Sequence, residues 1–261
     1  GLNLNETDDG ASDNPLTLTN STVENVGGSG IALDGDHFTV RDTSVVDADG
    51  AGLTHDDDVS DPLGASIRNV SVRNSGGDGI RITEGSTSPA DNLRLADVTV
   101  TNASGDEFRV TTVAATLDGL DVGSAVLDGT ARSVVINSSL RGERPTPPSD
   151  RDDVDAYFAA AETTPNGSLD VTVRYDQSDV PTGLDESTLE LWRYNGSWAP
   201  TGGTVDPDAN AVSATVTEFS VFAPLGSTNA TAPADFDLAI DSTNSSVNET
   251  ETMTVGATVT N

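Results

Sequence analysis

Val40-Arg-Asp-Thr-Ser-Val45 and Ile67-Arg-Asn-Val-Ser-Val72 are one phrase written twice, 27 residues apart. Upstream the phrase recurs as Leu18-Thr-Asn-Ser-Thr-Val23. Downstream it recurs as Leu95-Ala-Asp-Val-Thr-Val100 and Leu117-Asp-Gly-Leu-Asp-Val122, so five copies are spaced by 22, 27, 28 and 22 residues. The first four turn through Gly- and Asp-rich residues into a second apolar run: Gly30-Ile-Ala-Leu33, Gly52-Leu-Thr-His55, Gly79-Ile-Arg-Ile82 and Glu107-Phe-Arg-Val110. A period in this range marks a solenoid, in which each unit is too thin to bury its own apolar face and stacked units share one core.

Alternation along each short strand points Leu18, Val40, Ile67, Leu95 and Leu117 inward as one ladder. Val23, Val45, Val72, Val100 and Val122 form a second, and Ile31, Leu53, Ile80 and Phe108 a third. Two polar columns run beside them: Asn20, Asp42, Asn69, Asp97, and Asn25, Asp47, Asn74, Asn102. Asn and Asp tolerate the left-handed backbone of a sharp corner, and stacked amides bond the coil above. Gly30, Gly52 and Gly79 mark another corner; Glu107 breaks that column. The degenerate fifth copy, with Ser133 to Leu140, reads as the terminating coils.

The pattern resembles the parallel β-helix repeat family, including its pectate-lyase-like, carbohydrate-binding and sugar-hydrolysing members, over about residues 12–142. The resemblance implies a right-handed parallel β-helix. It carries no catalytic residue onto this chain: Asn-Thr-Asp, followed by Asp-Asp and Gly-His-Gly, is missing, and Asp57-Asp58 alone is weak.

The formal net charge is −31, from 32 Asp and 11 Glu against 12 Arg and no Lys. At molar salt such self-repulsion is screened within ~3 Å, whereas in dilute buffer it opposes compaction. The composition resembles that of haloarchaeal proteins. Nucleic acid is excluded as a partner, because phosphate recognition needs basic patches. Cysteine is absent, which removes disulfides and thiolate metal sites. No stretch approaches the ~20 apolar residues of a membrane span. Ten Asn-X-Ser/Thr sequons point to a secreted or cell-surface location. Asn20, Asn69 and Asn102 are assigned to corners. Asn166, Asn195, Asn229, Asn244 and Asn248 remain as glycosylation candidates.

Beyond residue 142 the pattern changes. Residues 143–149 are a Pro-rich linker, and Asp152 to Ala161 is expected to form a short helix leading a small antiparallel β-sandwich over 150–226. The order Tyr157-Phe, Val173-Arg-Tyr175, Leu189-Glu-Leu-Trp-Arg-Tyr194 and Phe219-Ser-Val-Phe222 resembles a module of haloarchaeal surface proteins. A second linker spans 227–234. Residues 235–261 are similar to the start of a CARDB-type, immunoglobulin-like adhesion domain and are expected to be incomplete. The N-terminal solenoid, 1–142, is likewise expected to be truncated.

The loops after the second strand of each coil emerge on one edge. They gather Asp56, Asp57, Asp58 and Asp61 as candidate calcium ligands, since clustered carboxylates suit a hard cation. His55, Arg81 and Arg109 are candidate ligand-binding residues, with the two arginines on adjacent coils facing outward. The two histidines are expected to be loop residues in contact with solvent. Trp192 and Tyr194 alternate onto one face and are expected in the sandwich core.

Two functional expectations follow. One is a non-enzymatic structural or adhesion protein of the cell surface, in a longer multidomain chain, binding polysaccharide or envelope components. The alternative is a carbohydrate-active lyase or hydrolase with most catalytic coils outside this segment. An enzyme should gather carboxylates and Arg in a cleft along one parallel sheet; a stalk should present a flat acidic face.

Overall fold

The computed structural model describes residues 1–5, 16–35, 37–57, 64–84, 93–138 and 144–228. The chain divides into two units, Gly1–Ala230 and Thr231–Asn261, and every described residue belongs to the first. Asp58, Asp61, Asn229, Asn244, Asn248 and the 235–261 segment therefore lie outside the described residues.

The protein is all-β. Its first strands are β1 (Leu2–Asn5), β2 (Leu16–Thr19), β3 (Thr22–Val26), β4 (Ile31–Asp34), β5 (His37–Ala48), β6 (Leu53–Asp57), β7 (Gly64–Ser75), β8 (Ile80–Glu84), β9 (Leu93–Thr101), β10 (Phe108–Thr111) and β11 (Ala114–Asp121). From β3 to β11 the chain alternates between two sheets, and every strand pair formed among β1–β11 is parallel. Sheet 1 runs β1-β4-β6-β8-β10; sheet 2 runs from β2 and β3 through β5, β7 and β9 to β11.

The expected ladders are the observed registers. Leu18 faces Val40, Val40 faces Ile67, Ile67 faces Leu95 and Leu95 faces Leu117. Val23, Val45, Val72 and Val100 align in the same way, as do Ile31, Leu53, Ile80 and Phe108. Past the first rung these side chains are 0–2 % exposed, so each removes nearly its whole apolar surface from water. The polar columns are the corners: Asn20, Asp42, Asn69 and Asp97 have φ of 48–52°, and Asn25, Asp47, Asn74 and Asn102 have φ of 55–57°. Their side chains bond between rungs, Asn69 Nδ2 donating to Asp42 Oδ1 (2.9 Å), Asn74 to Asp47 (2.8 Å) and Asn102 to Asn74 (3.2 Å).

The glycine column has a different cause. A Cβ at Gly30, Gly52 or Gly79 would lie 2.2–2.3 Å from a Cγ1 of Val45, Val72 or Val100 in the next rung. Glu107 stands in this column where sheet 1 stops being parallel. Its neighbour is β13 (Val134–Asn137), which runs antiparallel to β10.

From β12 (Val126–Arg132) and β13 onward the sheets continue antiparallel through β14 (Arg151–Asp153), β15 (Phe158–Glu162), β16 (Ser168–Arg174), β17 (Asp185–Tyr194), β18 (Trp198–Gly202), β19 (Thr204–Asp206), β20 (Ala211–Val216) and β21 (Val221–Ser227). Sheet 1 gains β13-β15-β21-β17-β18, with β14 beside β21, and sheet 2 gains β12-β16-β20-β19. The Pro-rich residues 144–149 thus do not interrupt the sheets, and one apolar core includes residues from Ile31 to Phe222.

The expected short helix at 152–161 is not formed. Val154, Ala156, Phe158 and Ala160 point into the main core, and Tyr157 and Ala159 into a second cluster outside sheet 1. Period two with both faces buried is a strand pattern, and it overrides the helix-favouring acidic start. Among the described residues the only helical turn is the 3-10 turn Gln177–Asp179, capped by Asp176.

Candidate functional site

Outward positions of sheet 1 bring Thr54, Arg81 and Arg109 into one register column on β6, β8 and β10. Adjacent strands lie ~4.8 Å apart, so Arg81 and Arg109 start from neighbouring register positions. They are not equivalent. Arg109 pairs with Asp106 and with Asp78 (3.5 Å) at the preceding corner. Arg81 is half-buried, and its Nε, sealed from solvent, has no hydrogen-bond partner among the described residues.

The corner beside Arg109 is a closed network. Asp106 N–H donates to Asp78 Oδ1 (2.9 Å), Asn137 Nδ2 donates to Asp106 Oδ1 (3.0 Å), and Glu107 N–H donates to Asn137 Oδ1 (3.0 Å). The Glu107 carboxylate accepts from Ser138 Oγ (2.8 Å) and Ser138 N–H (3.3 Å). Asn137, one of the sequons, is here a structural link between the parallel and antiparallel parts. The carboxylates are held by donors and by Arg109, which leaves them saturated rather than convergent on a ligand.

His55 does not join this face. It occupies the inward register position between Leu33 and Ile82, is 0 % exposed, packs against Phe38 at 5.1 Å between ring centroids, and has Nε2 2.9 Å from the Gly35 carbonyl oxygen. The solvent-facing loop role expected for it is therefore corrected: alternation from Leu53 points it into the core. Asp56 is exposed and lies opposite Thr83. Asp57 belongs to the same strand, and Asp58 and Asp61 fall outside the described residues. Among the described residues no group of three or more His, Asp or Glu is arranged to hold a metal ion.

A second outward feature lies on the antiparallel part of sheet 1. Tyr157, Val221, Ala223 and Leu225 form a small cluster, with Trp192, Tyr194 and Trp198 half-buried against it. Trp192 and Tyr194 do share a face, but it is the outer one; Leu189 and Leu191 take the inner one. The Pro-rich strap crosses this cluster. Arg144 lies 4.9 Å above the Tyr157 ring, Trp198 Nε1 donates to the Thr146 carbonyl (2.9 Å), and Arg151 lies 5.1 Å from the Trp192 ring. Tyr157 O–H donates to Asp153 (2.7 Å), and burial followed by that carboxylate pushes its phenol above the ordinary range. Cation–π contacts and the indole bond hold the strap as a cover, not a tether.

Asn166 and Asn195 are exposed at turns, Asn166 with φ of 70°. The sequence reading missed a rung. Gly1-Leu-Asn-Leu4 repeats Gly30-Ile-Ala-Leu33 and pairs with it in register, so the glycine-led signal was present. No family model, no curated protein and no solved structure matches this chain.

Proposed function

We propose that this protein is a structural or adhesive component of an extracellular, cell-surface assembly working at high salt. Its parallel half is a right-handed β-helix shaft that displays or binds glycans and envelope components along its outer faces. The observation that carries this reading is that beside the Arg81–Arg109 pair on sheet 1 the carboxylates of Asp78, Asp106 and Glu107 are bonded to protein donors instead of converging on a ligand. Among the described residues no helix is long and apolar enough to cross a membrane.

The carbohydrate-active alternative keeps one favouring observation, the adjacent Arg81 and Arg109. A single assay separates the two. The protein is incubated in molar KCl with neutral and uronate-containing polysaccharides, and both retention and new chain ends are measured. Retention without cleavage is the expected result. New reducing ends or unsaturated uronate, abolished by Arg81→Ala, would replace the structural reading with the enzymatic one.

A further inference from the structure

We propose that the outer aromatic face of the antiparallel half is a binding site for an extended proline-rich segment headed by a cationic residue, and that residues 144–149 of the chain itself are its resident occupant. The face lies on other strands than Arg81 and Arg109 and does not depend on the glycan reading. Its floor is Val221, Ala223 and Leu225 on β21, and its walls are Tyr157, Tyr194 and Trp198. Tyr194 and Trp198 are register partners where β17 turns into β18, which fixes their rings relative to the sheet. Trp198 lies 5.3 Å from Tyr194 and 6.4 Å from Tyr157, at 57° and 63° to them. Rings set at such angles leave troughs, and aromatic-lined troughs are what proline-rich segments dock into.

The strap has the matching chemistry. Arg144, Thr146 and Pro147 each precede a proline, which biases them to extended backbone, and no residue from 144 to 149 belongs to a strand. In a polyproline II helix, with three residues per turn, Pro145 and Pro148 fall on one side. Both are half-buried, as is Pro147, while Arg144, Thr146 and Ser149 are exposed. Proline has no N–H, and this helix forms no internal hydrogen bonds, so its carbonyls stay open to outside donors. Trp198 Nε1 meets one of them, donating to the Thr146 carbonyl at 2.9 Å. At the head, Arg144 lies 4.9 Å from the centre of the Tyr157 ring and pairs with Asp155. Troughs, an indole donor and a cation on a tyrosine face are three separate points of recognition. Because the face already holds such a segment, a peptide is favoured over a sugar, which would also stack on these rings.

The occupant is held without strand pairing, and the face it covers is not fully satisfied. Trp192 Nε1, sealed from solvent, has no hydrogen-bond partner among the described residues. Covalent attachment gives the strap a high effective concentration, so a separate segment of the same chemistry binds only by displacing it.

The test uses the whole chain in molar KCl and a synthetic peptide, Arg-Pro-Thr-Pro-Pro-Ser with blocked ends, read by tryptophan fluorescence. Arg144→Ala, Pro145→Ala, Pro147→Ala and Pro148→Ala together weaken the resident occupant. This variant should bind the peptide about tenfold or more tightly than the parent does, since the strap no longer competes. It should bind a control peptide, with alanine in place of the three prolines, about tenfold more weakly. Adding Trp198→Phe should weaken binding of the proline peptide about five- to tenfold through loss of the indole donor. Equal binding of the two peptides, or none to a variant whose circular dichroism matches the parent's, overturns the proposal. So does a neutral oligosaccharide that binds the variant where the peptide does not. If the variant does not fold, the parent decides: excess peptide should move the Trp198 indole N–H resonance, and a resonance that stays in place overturns the proposal as well.

Discussion

The parallel half, β1–β11, and the antiparallel half, β12–β21, share two sheets and one core, yet specify their pairing in different ways. In the parallel half every rung repeats its predecessor, so one valine column, one glycine column and two Asn/Asp corners fix the register together. In the antiparallel half no column repeats. Register comes from turns such as Asn195-Gly196, with Gly196 at φ 78°, and from a second apolar layer under the strap. Identity of neighbours specifies the first; complementarity of unlike neighbours specifies the second.

The seam between them concentrates charge pairing. On sheet 2, Asp118 lies 3.2 Å from Arg94 on the parallel side and 4.0 Å from Arg174 on the antiparallel side, and Arg174 also pairs with Asp128. Asp128 Oδ1 accepts from the Gly119 N–H (2.7 Å) at the bulge where β11 meets β12. On sheet 1, Arg109 and Asn137 serve the same purpose. In a chain of net charge −31, these arginines stand where like-charged strands must approach.

The largest expected effect is that of salt. Transfer from molar to millimolar KCl should unfold both halves in one transition, because they share both sheets; circular dichroism and tryptophan fluorescence should report one midpoint. Two separated midpoints would make the halves independent, and a salt-independent melt would contradict the halophilic reading.

Ladder truncation comes next. Ile67→Ala should destabilise by about 2–5 kcal/mol, the range for deleting a fully buried aliphatic side chain. Trp198→Ala on the outer cluster should remove less, since that indole is half-exposed. Denaturant midpoints decide between them, and equal losses would erase the distinction between core and outer layer. At the corners, Asn69→Ala should lose about 1–2 kcal/mol through its positive φ and its bond to Asp42, while Asn69→Gly should lose less. Parity of the two variants would show that backbone conformation is not what the column selects. At the exposed seam, Arg174→Gln should lose at most about 1 kcal/mol, and less as salt rises.

The smallest effect is confined to alkaline pH. Burial, then the hydrogen bond to Glu186, pushes the Tyr175 phenol up from 10.0 to about 12. The folded state thus favours the neutral phenol, and its contribution is intact below pH 10 and lost as pH rises through about 12. Tyr175→Phe should flatten the fall of the denaturant midpoint in that window, and an unchanged slope would remove Tyr175 as its source.

How much was legible follows from the same comparison. The ladders and corners were readable because repetition lets each residue be checked against three or four others. Some strands of the antiparallel half, such as those holding Val173 and Leu189, were readable from alternation, but their partners were not. The pairing of Leu169 with Ala131 and of Phe158 with Phe222 is set by fit across the sheet and leaves no local period. Asp152–Ala161 was misread because it holds parts of two short strands, β14 and β15, separated by the exposed Asp155 with its left-handed backbone (φ 58°), while its Asp residues look like a helix start. His55 was misread because an imidazole at an inward position looks like a loop residue when the Asp residues after it dominate.

The most direct measurement exploits the absence of cysteine. Ser44 and Ser71 are register partners on neighbouring rungs, with their Oγ atoms 3.2 Å apart. Ser44→Cys with Ser71→Cys should cross-link readily on mild oxidation of the folded chain, since the separation suits a disulfide. Ser44→Cys with Arg73→Cys, one alternation further along, should stay reduced. Cross-linking of the second pair, or of neither, would contradict the stacking of rungs on which the account depends.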